Sequence, residues 1–141
     1  MKAVLSALQQ TPEQKPLLCV ISSTGLKTEG QRDLPVAMIP LYKLLAVPHK
    51  DKKKMEEAVA AAEVLGGHVI VRPALLTDGA ETGAVRAGYE GRAKNGGAYG
   101  DVQGEAVGCT VSRKDVGRWV FEEVVRGQGG EWRGRGVSLA Y

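Results

Sequence analysis

The sequence predicts an α/β domain in which a parallel sheet is flanked by helices, and three observations predict it. Leu17-Leu18-Cys19-Val20-Ile21 is a short apolar run bounded by Pro16 and by Ser22-Ser23-Thr24-Gly25. Its length and β-branched content are those of a strand buried on both faces, as parallel sheets use. The stretch from Asp51 to Leu65 places Met55, Ala58, Val59, Ala62 and Leu65 on one helical face and stops at Gly66-Gly67, a helix with its terminator. His68-Val69-Ile70-Val71 follows at once as a second buried strand, ended by Arg72-Pro73. A strand, a helix and a strand in that order give a parallel pair joined by a right-handed crossover.

The remaining elements follow in chain order. Val4, Leu5 and Leu8 stand at helical spacing before Thr11-Pro12, which ends a first helix. After a polar link, Asp33 caps and Pro35 opens a segment whose apolar face is Ile39, Tyr42 and Leu45; Pro40 divides it and Pro48 closes it. Asp51 is the N-cap of the helix that runs to Leu65. Beyond Ala74, Ala84 to Tyr89 reads as a short strand. Gly91 to Gly108 carries six glycines and reads as a mobile surface loop. Cys109-Thr110-Val111 is a short apolar strand, and Ser112 with Asp115 forms a capping box: the Ser112 hydroxyl takes the Asp115 amide while the carboxylate reaches back. The helix it opens buries Val116, Trp119, Val120 and Val124 and ends at Gly127, and Gly136 to Tyr141 closes the chain as an alternating strand.

Composition narrows the function classes. The 141 residues make one domain at most, hydrophobic residues are 43% of them, and no apolar run approaches the roughly 20 residues that a membrane helix requires. The expectation is a soluble, cytoplasmic protein without a membrane partner. Cys19 and Cys109, both in strands, read as buried small hydrophobes and not as a disulfide framework. The net charge of +3 is spread along the chain. The single basic cluster, Lys50-Asp51-Lys52-Lys53-Lys54, has no aromatic platform beside it, which argues against a nucleic-acid partner.

The polar end of the first strand is where chemistry is expected. In open α/β sheets ligands sit outside the carboxyl ends of the strands, so the hydroxyls of Ser22, Ser23 and Thr24 are placed to meet a ligand. The same residue types also make ordinary strand-to-loop turns.

Taken together, the Ser22-Ser23-Thr24-Gly25 strand end, a helix with Lys53 and Glu57 four apart, Val69-Ile70-Val71-Arg72-Pro73-Ala74-Leu75-Leu76, and Ser112-Arg113-Lys114-Asp115-Val116 resemble the atypical short-chain dehydrogenase/reductase superfamily. More narrowly they resemble its NAD(P)-binding, NmrA-like proteins common in fungi. The resemblance covers the chain outside Gly91 to Gly108. It implies a Rossmann-like domain and an oxidoreductase-type function, with NADP or NAD as nucleotide partner across the strand ends. It implies Ser23 and Lys53 as catalytic residues, Ser23 or Thr24 lying near the nicotinamide and Lys53 on its ribose. Ser22, Thr24, Pro73, Leu75 and Leu76 are implied as cofactor-binding, the last three shaping the nicotinamide side of the pocket. Lys52, four before Glu56, fits the lysine position almost as well. Arg72 is read as structural, its charge paired near the strand end.

Two departures qualify what the resemblance implies. The family's catalytic Tyr position, four residues before Lys53, holds His49. The family's Gly-x-x-Gly-x-x-Gly phosphate turn does not occur in the sequence, and that turn supplies much of the pyrophosphate binding in such folds. The expectation is therefore the C-terminal part of a Rossmann-like sheet over residues 1–141, incomplete and weak or inactive alone. Its first strand would then carry an open edge that a second copy or a protein partner covers. The alternative is a non-enzymatic nucleotide-sensing or protein-interaction domain.

Overall fold

The computed structural model describes residues 1–10, 13, 15–26, 36, 40, 46–63, 65–90, 102–104 and 108–141. The elements are α1 (Lys2–Gln9), β1 (Leu17–Ile21), α2 (Ala46–Ala60), β2 (Gly67–Pro73), β3 (Leu75–Thr77), β4 (Arg86–Glu90), β5 (Val102–Gly104), β6 (Thr110–Ser112), α3 (Arg113–Trp119) and β7 (Arg135–Ala140). The α3 helix runs on through wider π-helical turns over Val120–Arg126, and a 3-10 turn over Gly130–Trp132 precedes β7.

The main sheet has the order β1-β2-β7-β4-β5. The first three strands are parallel, with Val20 opposite Ile70 and Val71 opposite Val137. The β4 and β5 strands extend the sheet antiparallel, Gly88 lying opposite both Ser138 and Gly104. A small second sheet pairs β3 with β6 in parallel. The α/β architecture with a parallel sheet between helices is thus present, with an antiparallel pair added on one side.

Alternation along the strands divides the core into two layers. On one face Val20 and Ile70 pack with Val59 and Leu65, and Leu5, Leu8 and Met55 close over them. On the other face Val69, Val71, Val137 and Leu139 pack against Val111, Val116 and Val124, with Trp119 and Trp132 at the margin. Gly66 sits where the chain turns into β2, its amide donating to the Pro16 carbonyl at 3.0 Å. A Cβ there would collide with the Lys15 carbonyl, so only glycine lets the two segments touch.

Several sequence expectations need correction. Val4 faces outward while Leu5 and Leu8 pack inward, the core meeting the Leu5/Leu8 side of the helix, with Val4 turned about 100° from Leu5. The α2 helix begins at Ala46, not at Asp51, and ends at Ala60. Pro48 therefore lies inside its first turn, where the missing N–H would have had no partner in any case. Cys109 is exposed and precedes β6 instead of lying in it. Val102–Gly104, within the stretch read as loop, forms β5, since an outer strand can pair through its backbone whatever its glycine content. The final strand is buried along Gly136–Ala140 and does not alternate, because it lies in the middle of the sheet. The segment expected around Ile39, Tyr42 and Leu45, with Asp33 and Pro35, lies outside the described residues.

The predicted capping box is present in altered form. The Ser112 hydroxyl accepts from the Asp115 amide at 3.0 Å and donates to the Asp115 carboxylate at 2.9 Å. The Ser112 amide, however, donates to the Tyr141 hydroxyl at 3.0 Å, and that hydroxyl in turn donates to Asp115. The freed carboxylate takes the amides of Thr82 and Gly83 at 3.0 and 2.8 Å. One buried side chain thus ties the loop after β3 and the end of β7 to the start of α3. Burial by itself would push the Asp115 carboxyl up; the hydrogen bonds from Tyr141, Thr82, Gly83 and Ser112 outweigh it and hold the group well below the usual carboxylate range.

Asp115→Ala, which takes the acceptor from the Ser112 and Tyr141 hydroxyls and from the Thr82 and Gly83 amides together, is expected to cost about 3 kcal/mol in thermal or urea unfolding. A carboxyl depressed in the folded state contributes stability above its unfolded pKa of about 4 and loses it as pH falls through that range. Wild-type stability should therefore drop on acidification from about pH 5 downward, and the Asp115→Ala profile should be flatter there.

Candidate functional site at the carboxyl ends of the parallel strands

The site is built from β1, β2 and the inward face of α2. Past Ile21 the chain keeps the ladder with β2: the Ser22 amide donates to the Val71 carbonyl at 2.7 Å, and the Thr24 amide donates to the Pro73 carbonyl at 3.1 Å. Strand alternation therefore continues through the hydroxyl run. Ser22 and Thr24 are buried, and Ser23 between them is half-buried, facing the side of Ile21. Of the three hydroxyl residues at the strand end, Ser23 is the most accessible.

Above this strand end lies one stripe of α2. Residues 52, 56 and 59 stand at i, i+4 and i+7 and share a face. Val59 enters the core, Glu56 meets Arg72, and Lys52 reaches the end of β1. The Lys52 ammonium donates to the Ser22 carbonyl at 3.2 Å. Burial pushes its pKa down from the usual lysine value, and Glu56 one turn on partly opposes that. Lys53, the lysine preferred from the sequence, points to solvent, as do Lys50 and Lys54. The structure thus brings Lys52, and not Lys53, to the strand end. The reason is helical phase: a step of one residue rotates the side chain by about 100°.

Glu56 and Arg72 form a bidentate pair, Nε to Oε1 at 3.1 Å and Nη2 to Oε2 at 2.6 Å, with both side chains less than 5% exposed. Arg72 is accordingly a structural cation, as read from the sequence. Gly136 on β7 makes room for it, since a Cβ there would stand 3.2 Å from the Arg72 Cζ. Arg72 also lies opposite Ser138, and the continued register sets Ser22 on its other side. The Oγ atoms of Ser22 and Ser138 are buried without a hydrogen-bond partner among the described residues. These two hydroxyls flank Arg72 and leave hydrogen-bonding capacity at the strand ends.

The other expected cofactor residues are spread more widely. Pro73 is fully buried as the last residue of β2. Leu75 opens β3 and is 40% exposed, and Leu76 packs against the main core. His49 is half-buried at the start of α2. Cys19, in β1, has its thiol pushed up by burial, which leaves it a poor nucleophile. Among the described residues no group of His, Cys, Asp and Glu is arranged to hold a metal ion, and no helix is long and apolar enough to cross a membrane.

The fold is similar to about half of each of two solved short-chain dehydrogenase/reductases. A solved structure of a short-chain dehydrogenase/reductase from Veillonella parvula superposes with a TM-score of 0.74 at 14% identity, over 99% of this chain and 56% of that one. A second structure from the same organism, solved in complex with NADP, superposes with a TM-score of 0.70 at 15% identity, over 98% of this chain and 55% of that one. Among curated proteins the chain is similar to Reductase pytE of Aspergillus terreus, 40% identical over 156 aligned residues, and to Oxidase pynE of Aspergillus niger, 39% identical over 132. The matches cover 98% and 90% of this chain but 54% and 46% of the relatives, so the chain spans about half the length of the curated proteins it matches. No protein-family model matches it.

The sequence did not reveal the partner of Lys52 or that of Arg72. The 52/56/59 spacing was the available signal for both, because it fixes one inward stripe once Val59 is known to be core. Breaking the buried pair by Glu56→Gln or by Arg72→Met is expected to cost about 3–5 kcal/mol in urea unfolding. The combined Glu56→Leu/Arg72→Met variant should lose less than either single one, since it leaves no charge buried alone.

Proposed function

We propose that residues 1–141 form the nicotinamide-side part of an NAD(P)-binding oxidoreductase domain of the atypical short-chain dehydrogenase/reductase type, NmrA-like in its narrower kinship. The observation that carries this reading is the strand end itself. The half-buried Ser23 and the Lys52 ammonium, which holds the neighbouring Ser22 carbonyl, both lie at the carboxyl end of a parallel strand, where this architecture takes its ligands. Names of the relatives, a reductase and an oxidase, and an NADP-bound structure of the same fold support the same reading.

In this reading Ser23 meets the nicotinamide end of NADP or NAD, with Ser22 and Thr24 fixing its backbone. Lys52 takes the ribose-binding role first given to Lys53. Pro73, Leu75 and Leu76 bound the pocket beyond. The nucleotide, when bound, supplies hydride transfer; the chain's own residues orient it and hold a positive charge beside it. The pyrophosphate would be held by a glycine turn that this sequence does not contain, so the chain alone binds weakly and turns over negligibly.

A second reading is favoured by one feature of the sheet. Among the described residues nothing pairs with the outer side of β1, and Ile21 at its end is 47% exposed. A second copy or another protein covering that edge, with the nucleotide sensed and not turned over, fits a non-enzymatic interaction domain.

Thermal unfolding followed by Trp119 and Trp132 fluorescence, with and without 1 mM NADPH, separates the readings. Both rings lie at the margin of the main core and touch each other, so they report its loss. Nucleotide binding at a Kd near 0.1 mM should raise Tm by roughly 2–6 °C. No shift with NADPH or NADH, in a chain that unfolds cooperatively, would overturn the nucleotide reading. Oxidation of NADPH with a carbonyl or quinone panel should stay at background.

A further inference from the structure

We infer that Lys52 completes the β1–β2 ladder in place of the backbone N–H that Pro73 lacks, and so is the positioning residue that holds the hydroxyl-bearing strand end. The inference starts from register. Ile21 lies opposite Val71, and the Ser22 amide donates to the Val71 carbonyl, so Ser22 lies opposite Arg72. In a parallel ladder a residue that gives its N–H to the residue before its partner takes an N–H from the residue after it. For Ser22 that donor would be residue 73, the last of β2. Residue 73 is proline and has no N–H. The carbonyl left without its ladder donor is the one the Lys52 ammonium reaches at 3.2 Å.

Ser22 is 3% exposed, so bulk water is poorly placed to serve that carbonyl instead. One residue further on the backbone pairing resumes, the Thr24 amide donating to the Pro73 carbonyl at 3.1 Å. The lysine thus bridges a one-bond gap in an otherwise continuous ladder. The pair of residues has a single logic. A proline ends β2 without forming the last rung, and a cation from the covering helix forms it, joining α2, β1 and β2 at one point. Glu56, one turn along the same stripe, fixes α2 to β2 through Arg72, which sets the reach of Lys52. An ammonium has three donors and the carbonyl uses one.

A double-mutant cycle on the full chain tests this without any nucleotide. Lys52→Met should lower Tm by roughly 3–6 °C and speed hydrogen exchange of the Thr24 amide about tenfold. Pro73→Ala restores a main-chain N–H facing Ser22. In that background Lys52→Met should have less than half its effect on both readings, whatever Pro73→Ala costs by itself. Lys52→Arg, which keeps a donor on a long stem, should retain most of the Thr24 protection, whereas a purely apolar packing role would be kept by Met as well as by Arg. Equal effects of Lys52→Met in the wild-type and Pro73→Ala backgrounds, or no change in Thr24 exchange in either, would overturn the inference. Because no nucleotide enters, such a failure leaves the NADPH test standing, and a failed NADPH test leaves the ladder role standing.

Discussion

The buried Glu56–Arg72 pair is the constraint on which the rest of the site depends. A bidentate pair fixes distance and rotation together, so it sets both how close α2 comes to β2 and which stripe of the helix faces the sheet. Once Glu56 is aimed at Arg72, Val59 must enter the core a turn later and Lys52 must lie over the end of β1 a turn earlier. Gly136 on the neighbouring strand leaves the guanidinium its space. A buried ion pair is a weak source of net stability compared with a well-packed apolar pair. Its value here is orientation.

The far half of the domain is organised on the same plan with a different group. Asp115 gathers donors from segments about 30 residues away on either side, at Thr82, Gly83 and Tyr141. These lie in the loop after β3 and just past the end of β7, at the rim of the apolar core, and Asp115 ties them to the start of α3. Each layer of the sheet is therefore fastened at the carboxyl ends of its strands by one buried charged group: the Arg72–Glu56 pair on the α2 side, and Asp115 on the α3 side. Rigidity at those ends is what a ligand site between the layers requires.

Much of this fold was legible from residues 17 to 71. A bounded β-branched run, an amphipathic helix and a second such run leave few topologies open, because strand, helix and strand in sequence can close only as a right-handed parallel unit. The bounds of α2 were not legible, since Asp51 and Pro48 each look like a boundary and each instead tolerates the helix interior or its first turn. The β3 and β5 strands were missed for a related reason: three-residue strands carry no periodicity, and glycine in β5 hides an element that exists through pairing with β4. At the site, the residue types were legible at Ser22, Ser23, Thr24 and Arg72, and the choice between Lys52 and Lys53 was not.

By itself the sequence determined the succession of β1, α2 and β2, the parallel pairing of β1 with β2, and a hydroxyl-rich strand end, because local periodicity and chain order carry those. Tertiary structure alone decided which lysine faces that strand end, which carbonyl it serves, and which distant amides Asp115 collects. Those depend on the rotation of α2 about its axis and on contacts between residues far apart in the chain. Such contacts are set by packing against partners that no local pattern names.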